Sequence, residues 1–165
     1  GTTDSGEVRV AGVSERCVGA KEIKAWAEEL PRDRLEVDFR TMTRLKAEDS
    51  FARRPEFHLL VRALLRRVSS LAYFHHGVSL DLDYRGLVQA ARQVNVLRDR
   101  TRWVDWARYS NRQDRRMNLG GLVGKVVYEG DLGPFRELIV VGSLVHAGKS
   151  TTFGLGRYSV APIIS

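Results

Sequence analysis

Seven periodic segments follow one another between residues 35 and 160, in the order strand, helix, helix, strand, strand, helix, strand. That order predicts an α+β domain whose antiparallel sheet is covered on one face by helices. Composition agrees, because 43% hydrophobic and 28% charged residues over 165 positions suit a single domain with a real core. No run approaches the roughly 18 apolar residues of a membrane-spanning helix, so no membrane partner is expected.

Each element rests on its own pattern. Before the seven segments, Val8, Val10 and Val13 form a short alternation that reads as a strand or as a disordered lead-in. Ile23, Trp26, Ala27 and Leu30 make one face of a short helix that Pro31 ends. Leu35, Val37, Phe39, Thr41, Thr43 and Leu45 then alternate with Glu36, Asp38, Arg40 and Arg44, as in a half-buried strand. Phe57, Leu60, Val61, Leu64, Leu65, Val68, Leu71 and Ala72 form a helical stripe, with Pro55 in the first turn and Gly77 at the stop. Arg62, Arg66 and Arg67 fall on or beside the opposite face.

A second helix is predicted from Asp83 to about Arg98 through Leu87, Val88, Ala91, Val94 and Leu97. Two strand-like runs follow, Arg102 to Ser110 and Leu122 to Tyr128. The polar stretch Asn111 to Asn118 between them predicts a hairpin with a long basic tip. Phe135, Leu138, Ile139, Gly142 and Val145 return to helical spacing behind Pro134, with Gly148 closing the helix. A last strand is predicted from about Thr151 to Val160, interrupted by Gly154 and Gly156. Apart from one extra helix, this is the β-α-β-β-α-β order of the ferredoxin-like fold. The domain is expected over residues 35–165, with 1–34 a lead-in or the remnant of a preceding domain.

Charge narrows the partners. Lys and Arg total 27 against 20 acids, a net charge of +7 and a pI near 10.0, which favours polyanions such as nucleic acid. Cys17 is the single cysteine. It excludes an internal disulfide and a cysteine-based zinc site, and a reducing cytoplasm fits. No metal or other cofactor is expected.

Gly148-Lys149-Ser150-Thr151 invites comparison with a nucleotide-binding P-loop, and the spacing refuses it. The first glycine of that motif falls on Ser143, while Gly142 stands one residue too early. A helical pattern also precedes the Gly-Lys pair where a P-loop requires a strand. Gly154-Leu155-Gly156 places Ser159 where a dinucleotide fingerprint requires its third glycine.

The tail from His146 through Gly148, Lys149, Ser150, Gly154, Gly156 and Arg157 to Tyr158 is more specific. It resembles the C-terminal glycine-rich loop of CRISPR-associated repeat-RNA endoribonucleases of the RAMP superfamily. Trp106 to Gln113, Met117 to Gly124 and Tyr128 to Leu132 agree with the same family, in order, across roughly residues 35–160. The resemblance implies metal-independent cleavage of CRISPR repeat transcripts into guide RNAs, in which a ribose 2′-OH attacks the adjacent phosphate. Such chemistry needs a base, an acid and a cation at the phosphorane. It leaves a 2′,3′-cyclic phosphate and a free 5′-OH.

Candidate RNA-binding residues follow. Gly148, Gly154 and Gly156 lack side chains, so their backbone N–H groups can approach phosphates, beside Ser150 and the positive charges of Lys149 and Arg157. The alternative is that these glycines serve a helix cap and a bent edge strand. Between Arg98 and Arg116, seven arginines stand against Asp99, Asp105 and Asp114, a net +4 over 19 residues. Arg108, Arg112, Arg115 and Arg116 are the hairpin candidates, with Arg112, Arg115 and Arg116 placed at the tip, and a solvated loop is the alternative. Trp103 and Trp106 lie on opposite faces of their strand, one for the core and one for a base.

Among four histidines, His75 and His76 read as helix-end residues and His58 has no partner motif. His146, directly before the glycine-rich loop, is the catalytic candidate, and a histidine that merely fixes the loop is the competing reading. In the resembled family the catalytic histidine often comes from a preceding domain, so this chain is also read as the RNA-gripping half of a longer enzyme. Two other functions stay open: a non-catalytic RAMP subunit holding guide RNA beside other CRISPR effector subunits, and a protein-interaction domain.

Overall fold

The computed structural model describes residues 7–10, 13–16, 19–76, 83–105, 107–110, 115–118, 120–148 and 155–162. Strands β1 (Glu7–Val10) and β2 (Val13–Arg16) form a small antiparallel hairpin. Helix α1 (Ala20–Glu29) starts at Gly19, whose N–H is held by the Glu22 carboxylate at 3.1 Å. Strand β3 (Arg34–Thr43) is followed by α2 (Phe57–His76), α3 (Tyr84–Ala91), β4 (Asn95–Val104), β5 (Ala107–Ser110), β6 (Arg115–Asn118) and β7 (Gly121–Glu129). A 3-10 turn, Gly133–Phe135, leads into α4 (Arg136–Val145), and β8 (Tyr158–Pro162) is the last described strand.

The main sheet has the order β4-β7-β3-β8, with every neighbouring pair antiparallel. Counted in the fold's own terms these are its second, third, first and fourth strands, the ferredoxin-like arrangement. Alternation along β3 sends Leu35, Val37 and Phe39 under the helices, where they meet Val126 and Tyr128 of β7 and Tyr158 of β8. From above come Phe57, Leu60, Val61 and Leu64 of α2 and Ile139 of α4. Phe57 makes edge contacts with Tyr128 and Phe135, ring centroids 4.9 and 5.2 Å apart. Each buried phenol has a partner: Tyr128 donates to the Pro55 carbonyl and Tyr158 to that of Ile139 at 2.7 Å. Burial pushes both phenols up.

Several expectations change. Helix α3 ends at Ala91 rather than near Arg98, and β4 begins at Asn95. The helical spacing of Val94 and Leu97 was misleading because β4 carries an irregularity between Val96 and Arg98 that leaves Leu97 49% exposed. Trp26 lies 43% exposed instead of joining Ala27 and Leu30 in the core. The last strand starts at Tyr158. Helix α4 is closed not by Gly148 but by His146, whose N–H reaches the Gly142 carbonyl at 2.8 Å.

The hairpin is longer and more regular than predicted. Trp103 faces Leu122 and Val104 faces Gly121, and Ala107 faces Asn118 in the same register. Strands β5 and β6 pair as a two-stranded sheet out to Ser110 and Arg115, in the register that β4 and β7 set. Arg115 and Arg116 sit on a strand instead of crowding the tip, because alternating cross-strand pairing satisfies the backbone that a long loop would leave to water.

Candidate nucleic-acid interface

The α4–β8 connection is sewn to the end of β3 by backbone hydrogen bonds. Ala147 N–H donates to Gly156 at 2.8 Å, and Gly156 N–H donates to Met42 at 3.0 Å. Arg157 N–H reaches the Thr41 hydroxyl at 3.0 Å, and its carbonyl accepts from Arg40 and Thr41. Gly148 and Gly156 hold φ of +88° and +84°, and a Cβ on either would meet backbone, Arg44 O at 2.4 Å and Ala147 O at 1.9 Å. Both glycines thus admit another stretch of this chain, and the Gly156 N–H is spent inside the protein. Lys149, Ser150 and Gly154 lie outside the described residues. Tyr158 is core, 2% exposed, with its hydroxyl on Ile139.

His146 has a backbone of φ 71° and ψ 159°, a region that glycine tolerates and other residues rarely enter. Its half-buried ring places Nδ1 3.3 Å from the Leu155 carbonyl. A carbonyl only accepts, so Nδ1 carries the proton in that contact and the neutral ring keeps its lone pair on Nε2.

Gly148 also lines a cleft of about 150 Å³ that no sequence pattern had singled out. Arg44 and Lys46 come to it from the segment after β3, and Arg62, Arg66 and Arg67 from α2. No carboxylate is among the described residues that line it. Two of the cations are held in place: Arg67 Nε donates to the Val145 carbonyl at 3.0 Å, and the Arg44 guanidinium lies 4.2 Å from the centre of the Phe51 ring. Five cationic side chains line this small volume, a density of positive charge that suits an anion such as phosphate. The signal available in the sequence was α2 itself, which has three arginines within six residues and no acid anywhere along it.

The open face of the sheet is basic too. Arg100 of β4 faces Lys125 of β7, which faces Asp38 of β3, which faces Ser159 of β8. Arg98 and Arg102 stand two residues to either side of Arg100 and are exposed. Arg40 bridges Asp38 and Ser159, both at 3.3 Å, and shares a groove of about 650 Å³ with Arg157 and Ser143. On the ribbon, Arg108 faces Met117, Arg116 faces Tyr109 and Arg115 faces Ser110. Arg112 and Trp106 lie outside the described residues. Trp103, half-buried, donates to Asp105 at 2.8 Å and carries the Arg53 guanidinium 4.0 Å above its ring.

His58 sits in a third cleft with Arg54, Glu56, Arg92 and Asn95. Burial first, then Arg92 and, more weakly, Arg62 hold its imidazole below the ordinary value of 6.5, against an opposing effect of Glu56. A depressed histidine resists protonation in the folded state. Its contribution to stability is intact above pH 6.5 and is lost as the pH falls from there toward the folded value. His58→Asn should flatten the pH dependence of the urea midpoint just below pH 6.5. Equal slopes for the two proteins would show that His58 is not the group responsible.

The model of the family described as CRISPR-associated endoribonuclease Cas6 matches residues 37–158. The chain belongs to the Cas6 family. The matched span runs from β3 to the first residue of β8 and so includes both the ribbon and the glycine-rich connection. Solved Cas6 structures share the fold. A Thermus thermophilus Cas6 superposes with a TM-score of 0.60 at 15% identity, over 84% of this chain and 57% of that one. A Cas6 product complex gives 0.56 at 19% identity, over 84% and 56%. A chain of a partial Cas6-RT-Cas1–Cas2 complex gives 0.59 at 14% identity, over 86% and 25%. The chain therefore spans a little over half the length of the Cas6 structures it matches. No curated protein matches it. Among the described residues of this Cas6-family chain, no helix is long and apolar enough to cross a membrane.

Proposed function

We propose that this chain is the RNA-gripping domain of a metal-independent endoribonuclease that cleaves CRISPR repeat transcripts into guide RNAs in the cytoplasm. Residues 35–165 are its C-terminal RAMP domain, and residues 1–34 are a lead-in or the remnant of a preceding one. The observation that carries the reading is the cleft of Arg44, Lys46, Arg62, Arg66 and Arg67 around Gly148, with no carboxylate among its described lining residues. A backbone phosphate seated there is neutralised by fixed cations, and the affinity it gains is sensitive to salt. The basic open face and the arginine ribbon extend the same charge to neighbouring nucleotides. Gly148, Lys149, Ser150, Gly154 and Arg157 of the glycine-rich loop and Arg108, Arg112, Arg115 and Arg116 of the basic hairpin are the proposed RNA-contacting positions, and Gly156 is withdrawn from that set. For Gly156 the role is to let the loop close.

His146 stands two residues before Gly148. With Nδ1 on Leu155, its Nε2 has the lone pair that a general base toward a 2′-OH requires. The same hydrogen bond favours a second reading, a non-catalytic RAMP subunit, because it also suffices to explain a histidine that only fixes the loop. Cleavage separates the two. End-labelled repeat RNA is incubated with the chain in excess EDTA, beside an RNA carrying 2′-deoxyribose at the cut. In the first reading the chain makes one cut, the deoxy substrate stays intact, and His146→Gly loses at least about 100-fold in rate. That variant should stay within about 1 kcal/mol of the parent, since glycine relieves the backbone while the ring's hydrogen bond is lost. Full activity in His146→Gly returns the histidine to a structural role, and no cut by the parent chain moves the base to a preceding domain or favours the binding subunit.

A further inference from the structure

Helix α3 is the element that the β-α-β-β-α-β order does not require. Among its residues only Ala91 is buried, so it adds little to the core. Its start is nevertheless fixed, with the Asp83 carboxylate accepting the Gly86 N–H at 3.0 Å. What α3 builds is a groove of about 620 Å³ against α2. Leu65 and Val88 supply apolar surface, Arg62, Arg66, Arg85 and Arg92 supply charge, and Tyr84 stands at the groove 38% exposed. No carboxylate is among the described residues that line it. Arg62 and Arg66 are shared with the phosphate cleft, so the two sites lie on either side of one ridge of α2.

An aromatic ring and aliphatic side chains inside four guanidinium groups suit a flat, uncharged group attached to an anion. We propose that this groove receives one unpaired RNA nucleotide, its base stacked on Tyr84 and its phosphate on the Arg62–Arg66 ridge. The base is unpaired because a duplex buries its stacking faces, whereas a single strand offers them to aromatic and guanidinium planes. The volume falls within the range of sites that enclose small ligands. The occupant follows from charge complementarity and from continuity with the neighbouring cleft, and the proposal rests on the RNA-binding reading of that cleft. An acidic amphipathic helix of a protein partner is the competing occupant.

The test is fluorescence anisotropy with the full chain and single-stranded repeat RNA, repeated over a salt series. Tyr84→Ala should weaken binding about tenfold without changing the slope against salt, because stacking releases no counterions. Tyr84→Phe should bind like the parent, which separates loss of stacking from loss of fold. One abasic substitution in the RNA should reproduce the Tyr84→Ala loss and add nothing when the two are combined. Lys46→Ala and Arg67→Ala line the neighbouring cleft but not the groove, and they should lower the slope. If they do so while Tyr84→Ala binds like the parent, the groove proposal is overturned and the cleft reading stands. If all three variants bind like the parent, both fall. Additive losses from Tyr84→Ala and every abasic substitution also overturn the proposal, in favour of a protein occupant.

Discussion

Replacing Arg62, Arg66 and Arg67 together by alanine should lower RNA affinity about 100-fold at moderate salt and reduce the salt slope by about 2. The slope follows from counterion release, which for a single strand contributes about 0.7 per phosphate neutralised. The affinity follows from three charge-assisted contacts, each worth roughly 1 kcal/mol after the cost of desolvation. None of the three arginines belongs to the core, which uses Phe57, Leu60, Val61 and Leu64 from the same helix, so the fold should survive. Of the three, Arg67 also has a structural contact, through its Nε to the Val145 carbonyl. A titration at four salt concentrations, with circular dichroism as the folding control, decides the matter. A folded triple variant with an unchanged slope would remove the cleft from the RNA path.

Gly156→Ala should be among the most destabilising single substitutions in the chain, costing about 3–5 kcal/mol. Part of the cost is backbone, since an L-residue at φ +84° loses roughly 1–2 kcal/mol. The rest is collision: the new methyl would lie 1.9 Å from Ala147 O and 2.9 Å from Ala147 N. The obstacle cannot swing aside as a side chain would. Ala147 is fully buried, and its N–H is bound to the carbonyl of Gly156 itself. For a domain whose total stability is about 5–15 kcal/mol, the expected fall in Tm is roughly 8–15 °C. A Tm within about 2 °C of the parent would show that the loop can be rebuilt at little cost. Loss of RNA binding in this variant would follow from the displaced loop, not from a missing contact between Gly156 N–H and phosphate, because that N–H is bound to Met42.

Local patterns were legible wherever one face of an element is buried. The alternation of Leu35, Val37 and Phe39 and the stripe from Phe57 to Leu65 were readable because burial selects residues at the period of the backbone itself. The readings failed where that link breaks. Leu97 is apolar yet stands out at an irregularity in β4, and Trp26 is apolar yet exposed. The tip of the hairpin was read as loop because its residues are polar, although the backbone pairing of a two-stranded ribbon does not require apolar alternation.

The candidate site divides in the same way. The sequence by itself determined the order of elements, the excess of positive charge, the clustering of arginines on one hairpin and one helix, and the presence of glycines where backbone had to come close. All of these depend on residues near one another along the chain. Only the tertiary structure decided what the glycines approach, Ala147 and Arg44 rather than open solvent. It alone brought Arg44 and Lys46, Arg62 to Arg67 and Gly148 around one cleft, and set α3 against α2 to make the second. The physical reason is that a binding site is defined by distance in space. The folding of β3, α2 and α4 onto a shared core fixes those distances, and no period along the chain encodes them.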